Sequence, residues 1–242
     1  MCAAQSQSPP VQNHLLAALP PEQLEALVPD LEPVSLAREE VVLRAGEPFA
    51  SVYFPTSGLY SARVTTEPRR VVEVTIVGNE GMLGLPAFLE TQTSREEVVC
   101  EVAGAAWRME LAAFRQHAQA EQPLHEVLLR YAGLLLTVSR RQAACNGAHP
   151  VEARLARWLL HVRDCLGADE FELLAQFLAD MLGVPPTRVP AIVRGFGRDG
   201  RIRYQRQRFT VLDVPRVEAA ACEDYRAVRL EYERVLGPIW NR

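Results

Sequence analysis

The spacing of apolar residues changes near residue 110, and neither an all-helical nor an all-sheet architecture accommodates both spacings. From about residue 31 to 110 the apolar residues come in short β-branched runs, VSLAREEVVLRAG, SVYFPTSGLYSARVT, RRVVEVTIVG and REEVVCEVAGAAWRM, separated by Gly, Pro and Asn. Several short strands at this interval predict an all-β sandwich or barrel. Ahead of them, Leu15, Leu16, Leu19, Leu24 and Leu27 sit at helical spacings around a Pro20-Pro21 break.

Beyond residue 110 the period is helical. LAAFRQHAQAEQ reads as a short helix, and Pro123 suits the first turn of a longer one, LHEVLLRYAGLLLTVSRRQAA from Leu124 to Ala144. Leu128, Tyr131, Leu135 and Val138 recur at three- and four-residue steps, and Leu124, Leu134 and Leu136 widen the apolar surface. A helix that is apolar over more than one face must bury several of them. One face can cover the barrel and another a second copy of the chain, so these four residues are assigned to a dimer interface; an ordinary core helix in a monomer is the alternative. NGAHPVEARLARWLLHVRDCLG then starts a helix at Pro150 and stops it at Gly167.

The segment with most functional content is ELLAQFLADMLGVPPTRVPAIVRGFGRDGRIRYQRQRFTVLD. It predicts a helix over about 171–182 ending at Gly183, a second helix from Pro185-Pro186, and two strands, IRYQR and RFTVL. Helix, turn, helix and hairpin make a winged helix-turn-helix. Val189, Ile192, Val193 and Phe196 share one face of the second helix, expected to pack on Leu174, Phe177, Leu178 and Met181. Thr187, Arg188, Ala191 and Arg194 then project outward. Arg pairs with guanine O6 and N7, and Thr contacts phosphate or a thymine methyl. Arg203, Arg206 and Arg208 on the hairpin suit phosphate contacts. Pro190 inside the helix removes an amide donor and costs about 3 kcal/mol unless the helix starts late or bends.

Charge distribution supports that reading where net charge does not. The chain carries −4 overall, which argues against nucleic acid. Residues 1–122, however, hold 8 Arg and 16 acids, whereas residues 181–210 hold 7 Arg and one acid, Asp199. A basic block in an acidic chain is a phosphate footprint. Every basic residue is Arg, a chain-wide bias given no functional weight.

The fold class expected is therefore α+β, with a β-roll sensor domain over 1–122, a dimerisation helix over 123–145 and a winged helix-turn-helix DNA-binding domain over 146–242. No apolar run reaches the roughly 18 residues that span a bilayer, and MCAAQSQSPPVQNH lacks the features of a secretory signal. The expected location is the cytoplasm, with no membrane partner. Cys2, Cys100, Cys145, Cys165 and Cys222 are odd in number and scattered, which fits reduced thiols. The last four read as small buried hydrophobes, and no metal site or cofactor is expected.

Along nearly its whole length the sequence resembles the Crp/Fnr superfamily, the relatives of the cyclic-AMP receptor protein. LRAGEPFASVYFPTSG and TIVGNEGMLGLPAFL look like the glycine-punctuated β-roll, a jelly roll of the cyclic-nucleotide-binding kind, with Gly46-Glu47, Gly58 and Gly78 at turns. NGAHPVEARLARWLL, LAQFLADMLGV, DGRIRYQRQRFTVLD and VEAAACEDY carry the second half. The resemblance implies a homodimer built on the long helix, an N-terminal effector domain, sequence-specific binding of double-stranded DNA, and RNA polymerase as a further candidate partner.

Three departures qualify it. The family's nucleotide cassette holds a ribose and cyclic phosphate with Gly-Glu followed by Arg and a small hydroxyl residue. Here GMLGLPAFLETQTSREEV puts Leu85-Pro86 after Gly84, and Arg95 is followed by Glu96 and Glu97. Gly84, Leu85 and Arg95 mark the candidate effector pocket, with a ligand other than cyclic AMP, a small molecule or a protein signal, expected. Iron–sulfur members use grouped N-terminal cysteines, and only Cys2 lies there. Haem needs one axial His or Cys, but His14, His117, His125, His149 and His161 fall on helices or a helix start, which favours surface or capping roles. Finally, the family's Arg, acidic residue and Arg of the recognition helix are replaced by Pro186, Thr187 and Ala191, so the operator should differ.

Two other readings compete. A degenerate relative would keep the dimer and act through protein contacts without reading DNA; the Pro-rich recognition helix favours it, the basic block and the hairpin arginines oppose it. A cupin-like metalloenzyme needs paired His with a carboxylate on strands, and residues 31–110 contain no His. No GxSxG, HExxH or phosphate-loop pattern appears either, so no enzyme is expected.

Overall fold

The computed structural model describes residues 12–66 and 70–240; Cys2 and the rest of the first eleven residues lie outside them. Asn13, near the start of the described chain, is a buried hub. Its side chain caps helix α1 (His14–Ala17) at the Leu16 amide and donates 2.8 Å bonds to the carbonyls of Pro55 and Gly81. With α2 (Pro21–Leu27), this pins the N-terminal turns to the strands that follow.

Those strands are β1 (Glu32–Leu36), β2 (Val41–Leu43), β3 (Ser51–Pro55), β4 (Leu59–Thr66) and β5 (Arg70–Val77). After the short helix α3 (Leu85–Phe88) come β6 (Glu97–Val102) and β7 (Gly104–Glu110). They form two antiparallel sheets, ordered β1-β7-β3 and β2-β6-β4-β5, which face each other as the expected β-roll. Gly58 turns with φ +85°, and a Cβ there would sit 2.6 Å from the Val102 carbonyl, so the glycine permits both the turn and the close approach.

Helix α4 (Leu111–His117) leads into α5 (Pro123–Ala148), one turn longer than the sequence indicates; it stops at His149, which is extended ahead of Pro150. Helix α6 (Val151–Leu166) ends at Gly167 in the left-handed conformation. The winged unit is β8 (Glu170–Glu172), α7 (Ala175–Leu182), a 3-10 turn (Pro186–Arg188), α8 (Val189–Arg198), β9 (Ile202–Gln205) and β10 (Arg208–Val211). Helices α9 (Val214–Ala220) and α10 (Asp224–Leu236) close the chain. Together these make the α+β architecture of β-roll, long helix and winged helix-turn-helix.

Two local assignments change. Residues 170–172, expected to open a helix, form a strand because Phe171 alternates inward between two exposed glutamates and pairs with Phe209 on β10. The recognition helix begins at Val189, later than Pro185-Pro186. Pro190 therefore occupies its first turn, where an amide would have no intrahelical acceptor, and the expected penalty disappears.

The cores interlock across the chain's two halves. Val228 and Tyr232 of α10, with Trp240, join the core under the β-roll, and Leu59 and Ile76 of the roll join the core under α7 and α8. Glu73 is buried at this junction with neither carboxylate oxygen hydrogen-bonded among the described residues. Burial and the neighbouring Glu101 push its carboxyl well above the usual range, with Arg63 opposing.

Candidate nucleic-acid interface

Helix α8 presents its two faces as expected. Val189, Ile192, Val193 and Phe196 are buried, while Thr187, Arg188, Ala191 and Arg194 are exposed on the outer side. They stand on the floor predicted for them, since Phe177, Leu178 and Met181 of α7 share their core. The wing beside them turns at Arg206-Gln207, both left-handed with φ +50° and +70°, the backbone of a two-residue type I′ hairpin. That turn lifts the Arg206 side chain to the tip, and Arg203 is exposed on β9.

The arginines of the basic block divide into two groups. Arg201 lies 2.6 Å from Asp199 and over the Phe196 ring. Arg208, expected to face phosphate, is held between Glu170 at 3.0 Å and Glu172 at 2.7 Å on the adjacent strand. The strand pairing sets this: Arg208 is opposite Glu172 across β10 and β8, so cross-strand attraction takes the guanidinium away from the ligand side. Arg188, Arg194, Arg198, Arg203 and Arg206 make no ion pair among the described residues and stay available to an anion.

A second feature lies between the β-roll and α5. A cavity of about 220 Å³ is lined by Gly84 and Leu85, together with Tyr60, Val77, Leu83, Glu96, Leu135 and Ser139 among others. Arg95 does not line it. In the bend before β6, Ser94 is buried, Arg95 is exposed and Glu96 is half-buried against the cavity. Burial raises the Glu96 carboxyl above its usual range. No Arg or His is among the lining residues.

The dimer residues read from sequence need correction. Leu128 and Tyr131 are fully buried and Val138 nearly so, all in the protomer's own core, and Leu135 faces the cavity. Tyr131 is locked in place by Gly81, where a Cβ would come within 2.1 Å of the phenolic oxygen. The exposed apolar residues of α5 are Leu129 at 51% and Leu136 at 53%, one residue further round the helix. With Gly133, Arg140 and Ala143, also exposed, they form a stripe at steps of four and three. Periodicity showed two apolar faces; only packing told which one the β-roll takes.

Of the histidines, His117 bonds Asp30 at 2.8 Å and His125 meets the Ala118 carbonyl at 2.9 Å. His161 packs among Trp158, Tyr232 and Trp240, and burial pushes its pKa down to about 3. His149 joins a group that sequence reasoning missed. Cys145, His149, Cys222 and Asp224 converge, with potential ligand atoms all within 4.8 Å of one another. The spacings C-x3-H and C-x-D, 77 residues apart between the cysteines, gave no recognisable metal pattern. Among the described residues no helix is long and apolar enough to cross a membrane.

Comparison with known proteins agrees with this architecture. Residues 33–121 match the cyclic nucleotide-binding domain family and residues 153–220 match the Crp-like helix-turn-helix domain family. A CRP-like cAMP-activated global transcriptional regulator of Mycobacterium tuberculosis is 24% identical over 210 residues, covering 83% of this chain and 93% of that protein. Among solved structures, FixK2 from Bradyrhizobium japonicum superposes with a TM-score of 0.69 at 14% identity, covering 79% of this chain and 98% of that one. A CRP-family transcriptional regulator from Thermus thermophilus gives 0.66 at 20% identity, over 78% and 96%. These two likenesses speak to the fold.

Proposed function

The chain belongs to the Crp/Fnr superfamily of DNA-binding transcription regulators, and from that premise we propose that it reads a specific double-stranded operator as a homodimer under control of an effector other than cyclic AMP. The observation that carries the DNA reading is the recognition face itself. Five arginines without carboxylate partners among the described residues surround an exposed helix face whose opposite side is anchored in the core. Such a surface supplies both the phosphate attraction and the base-edge donors that operator binding requires. Pro190 in the first helical turn weighs against the reading without DNA contact, since a proline there leaves the helix intact.

Dimerisation is assigned to the exposed stripe of α5 around Leu129 and Leu136, whose four- and three-residue steps suit a helix paired with its symmetry mate. An isologous pair sets two recognition helices about 34 Å apart, one turn of duplex, and predicts a pseudo-palindromic operator. Sedimentation at micromolar concentration should give twice the chain mass, and a clean monomer sinks this part.

For the effector, the curated relative is named as cyclic-AMP-activated. A buried cyclic phosphate needs a paired cation, and the cavity here offers Glu96 and apolar walls. A small uncharged ligand fits that lining. Calorimetry with cyclic AMP should show no binding at low micromolar concentration. Footprinting on the chromosome of origin, followed by anisotropy on the recovered site and a scrambled one, tests the regulator reading; equal affinity for both would refute it.

A further inference from the structure

We propose that Cys145, His149, Cys222 and Asp224 form a four-coordinate zinc site that ties the end of α5 to the start of α10. The two sulfurs are 3.3 Å apart, and His149 Nε2 lies 3.6 Å from Asp224 Oδ2. Tetrahedral zinc, with bonds of about 2.3 Å to sulfur and about 2.0–2.2 Å to nitrogen and oxygen, spaces its donors by roughly 3.2–3.8 Å. The four atoms need only small movements to meet that geometry. Local structure puts them there. Cys145 and His149 are one helical turn apart at the C-terminus of α5, and Cys222 and Asp224 flank Glu223, the N-cap of α10.

Donor chemistry selects the metal. Two thiolates and an imidazole suit zinc, whereas magnesium and calcium prefer oxygen. Cys145 is fully buried and Cys222 and Asp224 are each 7% exposed, which gives the closed surroundings of a structural site.

A second observation points the same way. Arg157 of α6 is 6% exposed, and its Nε and Nη2 have no hydrogen-bond partner among the described residues. A buried guanidinium without a carboxylate is unfavourable; zinc bound by two thiolates and a carboxylate carries a net −1 and supplies the missing counter-charge. Arg141 Nη1, 3.3 Å from Asp224 Oδ1, orients the carboxylate from the other side. Glu223 Oε1 is 3.3 Å from His149 Nε2, but its side chain is 77% exposed and yields readily to a metal. The site closes the loop that contains the whole winged unit, so occupancy fixes the base of the DNA-binding domain to the central helix.

The test uses the full chain, reduced and stripped of metal, titrated with cobalt(II) and then zinc. One equivalent of cobalt per chain should give sulfur-to-cobalt charge-transfer absorption and tetrahedral d–d bands, both abolished as zinc displaces it. Cys222→Ser and His149→Ala should weaken binding by at least about tenfold, and His117→Ala should leave it unchanged. Asp224→Cys should keep one equivalent and strengthen the charge-transfer band, which a carboxylate with only a packing role would not do. If a serine or alanine variant does not fold, the wild-type spectrum and the Asp224→Cys response decide. Absence of the charge-transfer band in wild type overturns the site. So does its survival in a Cys145→Ser/Cys222→Ser double variant, or mass-spectrometric evidence that these cysteines form a disulfide in the presence of zinc. None of these readouts involves DNA, so the outcome is separable from the regulator assignment.

Discussion

The cavity under α5 and the outer face of α8 treat charge in opposite ways. The cavity is walled by Tyr60, Val77, Leu83 and Leu135, with one inward carboxylate, Glu96, and no Arg or His in its lining. The outer face of α8 and the wing beside it carry five exposed arginines with no carboxylate partner among the described residues. The first region lies in the part of the chain that matches the cyclic nucleotide-binding domain family and the second in the part that matches the Crp-like helix-turn-helix domain family. An arginine standing in solvent needs no carboxylate partner, whereas a buried one without a counter-charge is costly. A surface can thus keep several free cations where a cavity of the same chain keeps none.

The largest expected effect tests whether the α8 face depends on its core. Phe196→Ala should cost about 3–5 kcal/mol of stability by opening a cavity under the recognition helix, read from chemical denaturation. Specific DNA binding should fall with it. Unchanged stability would mean that α8 is not anchored as described.

Arg188→Ala should cost about 1–3 kcal/mol on the specific operator and relax preference at one base position, measured by anisotropy against single-base variants of the site. Equal loss on every sequence would move Arg188 to the backbone-contacting group.

Glu73 sharpens the contrast, because it is a buried charge without a cation bonded to it. Its carboxyl is raised by burial, so the folded state holds the proton more tightly than the unfolded chain does. Stability should fall as pH rises from the ordinary carboxylate range through the raised value. Glu73→Gln should remove that fall, gaining about 1–3 kcal/mol at neutral pH and nothing in acid. Thermal melts across pH read both limits, and identical pH profiles would show that Glu73 finds a partner.

The smallest effects separate two arginines on one hairpin. Arg206→Ala should make the salt dependence of DNA affinity shallower by roughly one unit, on specific and scrambled sites alike. Arg208→Ala should barely move it, since Glu170 and Glu172 already offset that charge. Equal slopes for the two variants would break the division between free and paired arginines.

Much of this molecule is written in local pattern. The β-branched runs between residues 31 and 110, the stop at Gly167, the αL turn at Gly183 and the inward set Val189, Ile192, Val193 and Phe196 are each consequences of neighbours within a few positions. So is the outward placement of Arg188 and Arg194, because helical periodicity settles one face once the other is buried. Where the spacing was ambiguous, tertiary packing decided. The apolar surface of α5 allowed two faces, and the β-roll took Leu128, Tyr131 and Val138, leaving Leu129 and Leu136 in solvent. Among the described residues Arg208 is paired and Arg206 is not, because β8, a strand that sequence read largely as the start of a helix, lies beside β10. The Cys145, His149, Cys222 and Asp224 cluster is the extreme case. Its two pairs are separated by the entire winged unit, so no local interaction records that they meet. Short-range periodicity determines which side of an element is buried; which partner buries it, and which distant side chains arrive together, is set only when the elements pack.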